Sequence, residues 1–249
     1  MSESNAQPAW LSADWPAPAR VRTLITTRQG GASQGPYAGF NLGTHVGDDP
    51  AHVAANREQL RQLLPAEPAW LNQVHGTHVV DAADIGEILV DADASVARAP
   101  GAVCVVMTAD CLPVLLTNRE GTTVGAAHAG WRGLCDGVIE ATVESMGAEP
   151  ATLMAWLGPA IGPDAFEVGG EVRDAFMAAD PAADAAFSPI ADGKYLADIY
   201  LLARQRLQAL GVTEVYGGDF CTVIDRPRFY SYRRDRVTGR MASLIWLQD

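Results

Sequence analysis

Residues 102–146 read AVCVVMTADCLPVLLTNREGTTVGAAHAGWRGLCDGVIEATVESM. The unbroken apolar run Ala102–Met107 predicts a buried strand. Leu112–Leu116 predicts a second and Thr122–Ala127 a third, with Asn118–Gly121 as the turn between them. Trp131–Met146 then reads as a helix. His128 therefore falls where a strand hands over to a helix, and Cys111 falls where one strand begins.

Working outward, Val21–Thr27 reads as a first strand, preceded by a loose leader over residues 1–20 that holds three prolines and two tryptophans. Arg28–Gly47 is a Gly-rich loop, too long for one tight turn, and long ordered loops in compact domains are usually functional. Asp48-Asp49-Pro50 starts a helix with an Asp cap and Pro at the first position; Val53, Leu60 and Leu64 give it a buried stripe to about Leu64. Trp70–Val74 and Thr77–Val80 flank His75-Gly76 and suggest a strand or hairpin that bends there. Further on, Trp156-Leu157 ends a strand and GPAIGP (158–163) follows as a rigid loop. Helices are expected over Glu171–Ala178 and Ala197–Leu210, the second stopped by Gly211. Val212–Tyr216 and Met241–Leu247 read as strands. Helices and strands do not alternate regularly, so the expected class is α+β with mixed sheets flanked by helices. Gly and Pro are spread throughout, which favours one domain over residues 1–249.

The chain has 249 residues, 48% hydrophobic and 19% charged, a composition that excludes a wholly disordered protein. No apolar run approaches the roughly 18 residues of a membrane span. The N-terminus, MSESNAQPAW, lacks the basic-then-apolar pattern of a signal peptide. A cytoplasmic location is expected. A net charge of −12 argues against a broad nucleic-acid face. The cations are lopsided: 17 Arg against one Lys, with six Arg between Arg226 and Arg240. Such a cluster on an acidic protein suits a small anion such as phosphate or carboxylate; it also suits a chain that simply uses Arg as its cation.

Three segments carry candidate chemistry: QVHG (73–76), TADCLP (108–113) and AAHAGWRG (126–133). Each sets one borderline ligand at a strand end among small residues. His75, Cys111 and His128 form a candidate His₂Cys set, which leaves a metal one open position. The separations, 36 and 17 residues, are unlike those of a zinc finger. A core cysteine and two backbone-satisfied histidines explain the same residues without a metal. Cys104, on its apolar strand, is most simply core. No C-x-x-C pair occurs among the four cysteines, and disulfides are not expected.

The chain resembles the YfiH family, also called laccase-domain or multicopper polyphenol oxidase-like. The matching text is TTRQGGASQGPYAGFNLGTHVGDDP, WLNQVHGTHVV, DADA, TADCLPVLL, GAAHAGWRGL, WLGPAIGP-x-x-FEVG and FYSYRRDRVTGRMASLIWL, from about Thr26 to Leu247. The resemblance implies an α+β fold of mixed sheets, related to deamidating toxins that use Cys and His. It implies zinc held by His75, Cys111 and His128, which would also be the catalytic residues. It further implies a purine nucleoside phosphorylase that also deaminates adenosine and cleaves methylthioadenosine, with purine nucleosides and phosphate as its small-molecule partners.

Phosphorolysis requires an anion site. Arg132, at a candidate helix start, Arg28 in the Gly-rich loop and Arg233/Arg234 are the candidates. Asn41, in NLGTH, is a candidate for a hydrogen bond to base or ribose, and a turn role also explains it; His45, in the same segment, is a substrate-binding or acid–base candidate, or simply a loop residue. Asp110 is the carboxylate nearest Cys111 in sequence, and an Asp in a tight turn often caps backbone donors. Competing chemistries are a copper oxidase acting on phenols, a Cys111–His amide hydrolase that edits serine-containing peptidoglycan precursors, and a closed structural zinc site or nucleoside-binding module. Five histidines are too few for several copper centres.

Overall fold

The structure is a computed structural model that describes residues 10–86 and 89–249. Strand Val103–Thr108 belongs to a five-stranded mixed sheet, in the order Trp10–Leu11, Val21–Thr26, Met241–Leu247, Val103–Thr108, Pro68–Ala69. Strand Leu112–Asn118 belongs to a six-stranded mixed sheet, in the order Glu214–Gly217, Leu153–Leu157, Leu112–Asn118, Val124–Ala129, Ala94–Ala97, Val79–Asp81. The α+β class with mixed sheets is therefore the one observed.

Side-chain alternation assembles the layers. Cys104 and Val106 point from one sheet, and Leu115, Val124 and Ala126 from the other, into a shared core with Ile25, Trp156 and Ile245. Val103, Val105 and Met107 face the other way and pack with Leu60, Phe40, Leu42 and Trp70 under helix Pro50–Arg61. Leu112, Val114 and Leu116 pack against residues of helices Val138–Met146, Gly170–Ala179 and Ile199–Leu210. Both sheets are thus covered on both faces, which is why their central strands read as continuous apolar runs. Each fully buried Leu or Val there contributes roughly 1.5–3 kcal/mol.

Several expected elements hold with shifted ends. Asp49 caps helix Pro50–Arg61 by accepting from the Ala51 N–H, with Pro50 in the first turn. The turn after Asn118 is tied by that side chain, whose Oδ1 accepts from the N–H groups of Thr122 and Thr123. Met241–Leu247 is a strand over its full expected length.

Other expectations are corrected. The helix expected over Trp131–Met146 is two helices, Trp131–Asp136 and Val138–Met146, broken at Gly137, whose φ of 101° no regular helix accepts. Helix Ile199–Leu210 begins two residues late, because Asp198 caps it by accepting from the Leu201 N–H while Ala197 closes strand Tyr195–Ala197. No hairpin forms about His75. Leu71–Asn72 pairs in parallel with Val90–Asp91, and Val79–Asp81 pairs in parallel with Ala94–Ala97. Within the expected leader, Trp10–Leu11 pairs with Ile25–Thr26, and Ala13, Trp15 and Ala17 lie on the core between the sheets. Residues 1–9 lie outside the described residues.

Candidate functional site

The chain leaves one sheet at Thr108 and enters the other at Leu112. Cys111 lies on that crossing. The turn needs Asp110 at φ 99°, and two hydrogen bonds fix it there: Oδ1 accepts from Thr222 Oγ1 at 2.6 Å and Oδ2 from the Arg233 N–H at 2.6 Å. The Asp110 carboxylate is therefore engaged as a turn anchor, the plain alternative in the sequence.

His128 sits at the end of strand Val124–Ala129, just before helix Trp131–Asp136. His75 sits on the loop between Leu71–Asn72 and Val79–Asp81 with φ 62°. Buried Asp93 joins these two segments. Its Oδ1 accepts from the His75 N–H at 2.9 Å and from His128 Nδ1 at 2.8 Å; its Oδ2 accepts from the N–H groups of Gly76 at 2.7 Å and Val74 at 3.1 Å. One carboxylate thus curls the His75 loop and orients the His128 ring. Burial alone would raise its pKa, but these hydrogen bonds, His128 first, hold it below the ordinary value.

The outcome is a triangle. One ligand atom from each of His75, Cys111 and His128 lies within 4.8 Å of the others. Cys111 Sγ is 3.8 Å from His75 Nε2. Tetrahedral zinc with ordinary Zn–S and Zn–N lengths separates such donors by about 3.6 Å. Asp93 occupies His128 Nδ1 and leaves Nε2 on the Cys111 side of the ring, the usual outer-shell arrangement of a metal-ligating histidine. The residues present therefore fit a metal ion with an open position.

Electrostatics agree with a thiolate donor. Burial opposes ionisation of Cys111, but the His128 charge and hydrogen bond, followed by those of His75, outweigh it and bring the thiol down to about 6. Burial likewise opposes charge on His128, yet Cys111 and Asp93 raise it to about 9. The small neighbours make room for the donors themselves: a Cβ on Gly130 would meet His75 Cδ2 at 2.8 Å and Cys111 Sγ at 3.0 Å.

The triangle opens into a cavity of about 390 Å³, whose walls include His45, Leu71, Asn72, Gln73, Met107, Tyr232 and Arg240. Gln73 is clamped to the Met107 backbone by two hydrogen bonds, 2.7 and 2.8 Å. Of the expected substrate contacts, only His45 lines this cavity. Asn41 is fully buried, bonded to Asp48, Gly43 and the Arg240 N–H. Arg28 stacks on Tyr230 at 4.8 Å, Arg132 on Trp131 at 4.5 Å and Arg233 on Phe166 at 5.7 Å; none lines the cavity. Asp93, Gln73 and Arg240 were not singled out in sequence. Asp93 and Gln73 stand inside the quoted DADA and QVHG, and an Asp flanked by Ala92 and Ala94 on a buried segment signals that several donors meet it. Arg240 stood within the Arg226–Arg240 cluster.

A His₂Cys triangle at the seam of two stacked mixed sheets defines a class of candidate metal enzyme. The chain belongs to the family described as multi-copper polyphenol oxidoreductase laccase, whose model matches residues 22–248, and some of its relatives carry the YfiH name. It is 61% identical over 242 residues to a purine nucleoside phosphorylase of Pseudomonas aeruginosa, covering 97% of this chain and 99% of that protein. It is 57% identical over 235 residues to purine nucleoside phosphorylase YfiH of Escherichia coli, covering 94% and 96%. Among solved structures, a Neisseria meningitidis protein of family-model DUF152 superposes with a TM-score of 0.94 at 58% identity, covering 96% of this chain and 99% of that one. YlmD from Geobacillus stearothermophilus gives 0.88 at 30% identity, covering 100% and 98%. Among the described residues no helix is long and apolar enough to cross a membrane.

Proposed function

We propose that this protein is a zinc-dependent purine nucleoside phosphorylase that also deaminates adenosine. The observation that carries the reading is the His75–Cys111–His128 triangle opening into one cavity, in a chain whose relatives bear the phosphorylase name. In phosphorolysis a phosphate oxygen attacks C1′ of the ribose, the C1′–N9 bond breaks, and the departing purine takes up a proton. Adenosine, inosine and methylthioadenosine all offer that bond. Zinc bound there supplies Lewis acidity at an open coordination position. The protein's own part is positional. Leu71, Met107 and the Tyr232 ring offer apolar walls for a purine, and the Gln73–Met107 clamp fixes one of those walls. Asp93 keeps the His128 ring in one tautomer and one orientation.

Product analysis tests this. Adenosine with phosphate should yield adenine and ribose 1-phosphate, and adenosine without phosphate should yield inosine. Neither product from zinc-replete protein would overturn the reading.

The thiol held at about 6 favours a second reading, a Cys111–His128 amide hydrolase acting on serine-containing cell-wall precursors. It requires activity that survives chelation, together with covalent labelling of Cys111. Loss of turnover in chelator decides against it. The family description names copper, which also accepts imidazole and thiolate; a blue absorption and phenol oxidation on copper loading would mark that chemistry.

A further inference from the structure

Two arginines at this cavity carry charge without a carboxylate partner. Arg240 lines the cavity, and its Nη1 donates only to the Thr238 and Gly239 carbonyls, at 3.1 Å each. Arg57 stands behind Met107. Its guanidinium lies 3.8 Å above the Trp70 ring, Nε donates to the Leu42 carbonyl at 3.0 Å, and Nη2 points to Met107 Sδ at 3.9 Å. Neither forms an ion pair among the described residues. The carboxylates that act on them at longer range are already taken: Glu67 by Trp70 Nε1 and Arg61, Asp110 by Thr222 and Arg233.

The segment Asn41–His45 gathers these groups. Asn41 Oδ1 accepts from the Arg240 N–H at 2.8 Å, and the Leu42 N–H donates to the Arg240 carbonyl at 3.2 Å. The Leu42 carbonyl holds Arg57. Gly43 lets Arg240 pass, since a Cβ there would meet Arg240 Cγ at 2.9 Å. His45 follows on the cavity wall, within the field of both arginines. Burial lowers the pKa of both guanidinia, that of Arg57 to about 10. Neither guanidinium is bonded to a carboxylate, the foremost opposite charge acting on Arg240 being the Cys111 thiolate, and an anionic ligand offsets the cost of burying such a cation.

We propose that Arg240 and His45 bind a doubly charged phosphate oxyanion in this cavity, with Arg57 as a positioning residue behind them. The assignment rests on the phosphorolysis reading for its biological use, but binding itself is independent of turnover. The same chemistry accepts free phosphate or the phosphoryl group of a nucleotide, and titration of each separates the two.

Calorimetric titration of the zinc-loaded protein with inorganic phosphate, and separately with adenosine 5′-monophosphate, is the first arm. The expected result is saturable phosphate binding, weakened roughly tenfold or more in Arg240→Lys and in His45→Gln, each retaining its zinc. Saturable binding of the nucleotide alone assigns the subsite to a substrate phosphoryl group. Absence of binding for both anions, or wild-type affinity in both variants, overturns the proposal. The second arm is steady-state phosphorolysis by Arg57→Lys. A positioning role raises KM for phosphate with kcat and KM for nucleoside nearly unchanged; a merely structural role moves all three or none, and removes Arg57 from the subsite. Should Arg57→Lys not fold, because the stack on Trp70 is lost, Arg240→Lys carries the same kinetic comparison. Phosphate binding without phosphorolysis would leave the subsite standing and defeat the functional reading; phosphorolysis with unaltered KM for phosphate in every variant would do the reverse.

Discussion

Asp93 Oδ1 accepts from His128 Nδ1 at 2.8 Å and from the His75 N–H at 2.9 Å, so one buried oxygen sets the position of two of the three candidate metal donors. Asp93→Asn keeps the volume but places an amide where four donors now converge. Zinc affinity should fall by about 10- to 100-fold. Loss of charged buried hydrogen bonds of about 1.5–3 kcal/mol should also lower Tm by several degrees. Metal competition with a chromophoric chelator and a thermal melt check both; unchanged zinc affinity would remove Asp93 from the centre.

Thiol chemistry offers a pH test. In metal-free protein, Cys111 is held at about 6 and His128 at about 9. The thiolate is therefore populated above about pH 6 and is lost as pH falls through that value; its imidazolium partner is lost above about pH 9. Alkylation of Cys111, followed by peptide mass spectrometry, should be flat between those limits and drop below pH 6. His128→Asn should move the midpoint upward toward the ordinary thiol value.

Gly130→Ala tests the crowding of the donors. The new methyl would lie 2.8 Å from His75 Cδ2 and 3.0 Å from Cys111 Sγ, inside contact distance for both. Overpacking of this kind costs about 1–3 kcal/mol. Zinc binding should fall more than stability does, as read by zinc content and Tm on the same sample.

The arginines favoured by the sequence alone give a contrast. Arg132 is exposed and stacked on Trp131 outside the cavity. Arg132→Met should leave KM for phosphate essentially at the wild-type value, since the side chain does not line the cavity. A tenfold rise would return Arg132 to the anion site.

The legible parts of the fold were those whose pattern is local. Strands Val103–Thr108, Leu112–Asn118 and Met241–Leu247 announce themselves as apolar runs because both of their faces are buried. The Asp49-Pro50 helix start is equally local. Gly137 was hidden because a single glycine inside a helical pattern does not state its backbone angle. The parallel pairings around His75 depend on Asp93, which lies 18 residues away in sequence. His75, Cys111 and His128 could be named from residue type, small neighbours and strand ends. Asp93, which holds two of them, and Arg240, which meets Asn41 across 199 residues, reach the site only through the fold. Charge and loop position point to Arg28, Arg132 and Arg233, yet each finds an aromatic ring elsewhere.

The central claim is that His75, Cys111 and His128 hold one metal ion on which nucleoside phosphorolysis depends. The direct measurement is metal content alongside adenosine phosphorolysis, for wild type and for His75→Ala, Cys111→Ala and His128→Ala, before and after chelation and zinc restoration. The account predicts about one zinc per wild-type chain, with activity lost on chelation and regained with zinc, and both diminished together in each variant. Wild-type zinc content in His75→Ala, or full phosphorolysis by chelated protein, would contradict it.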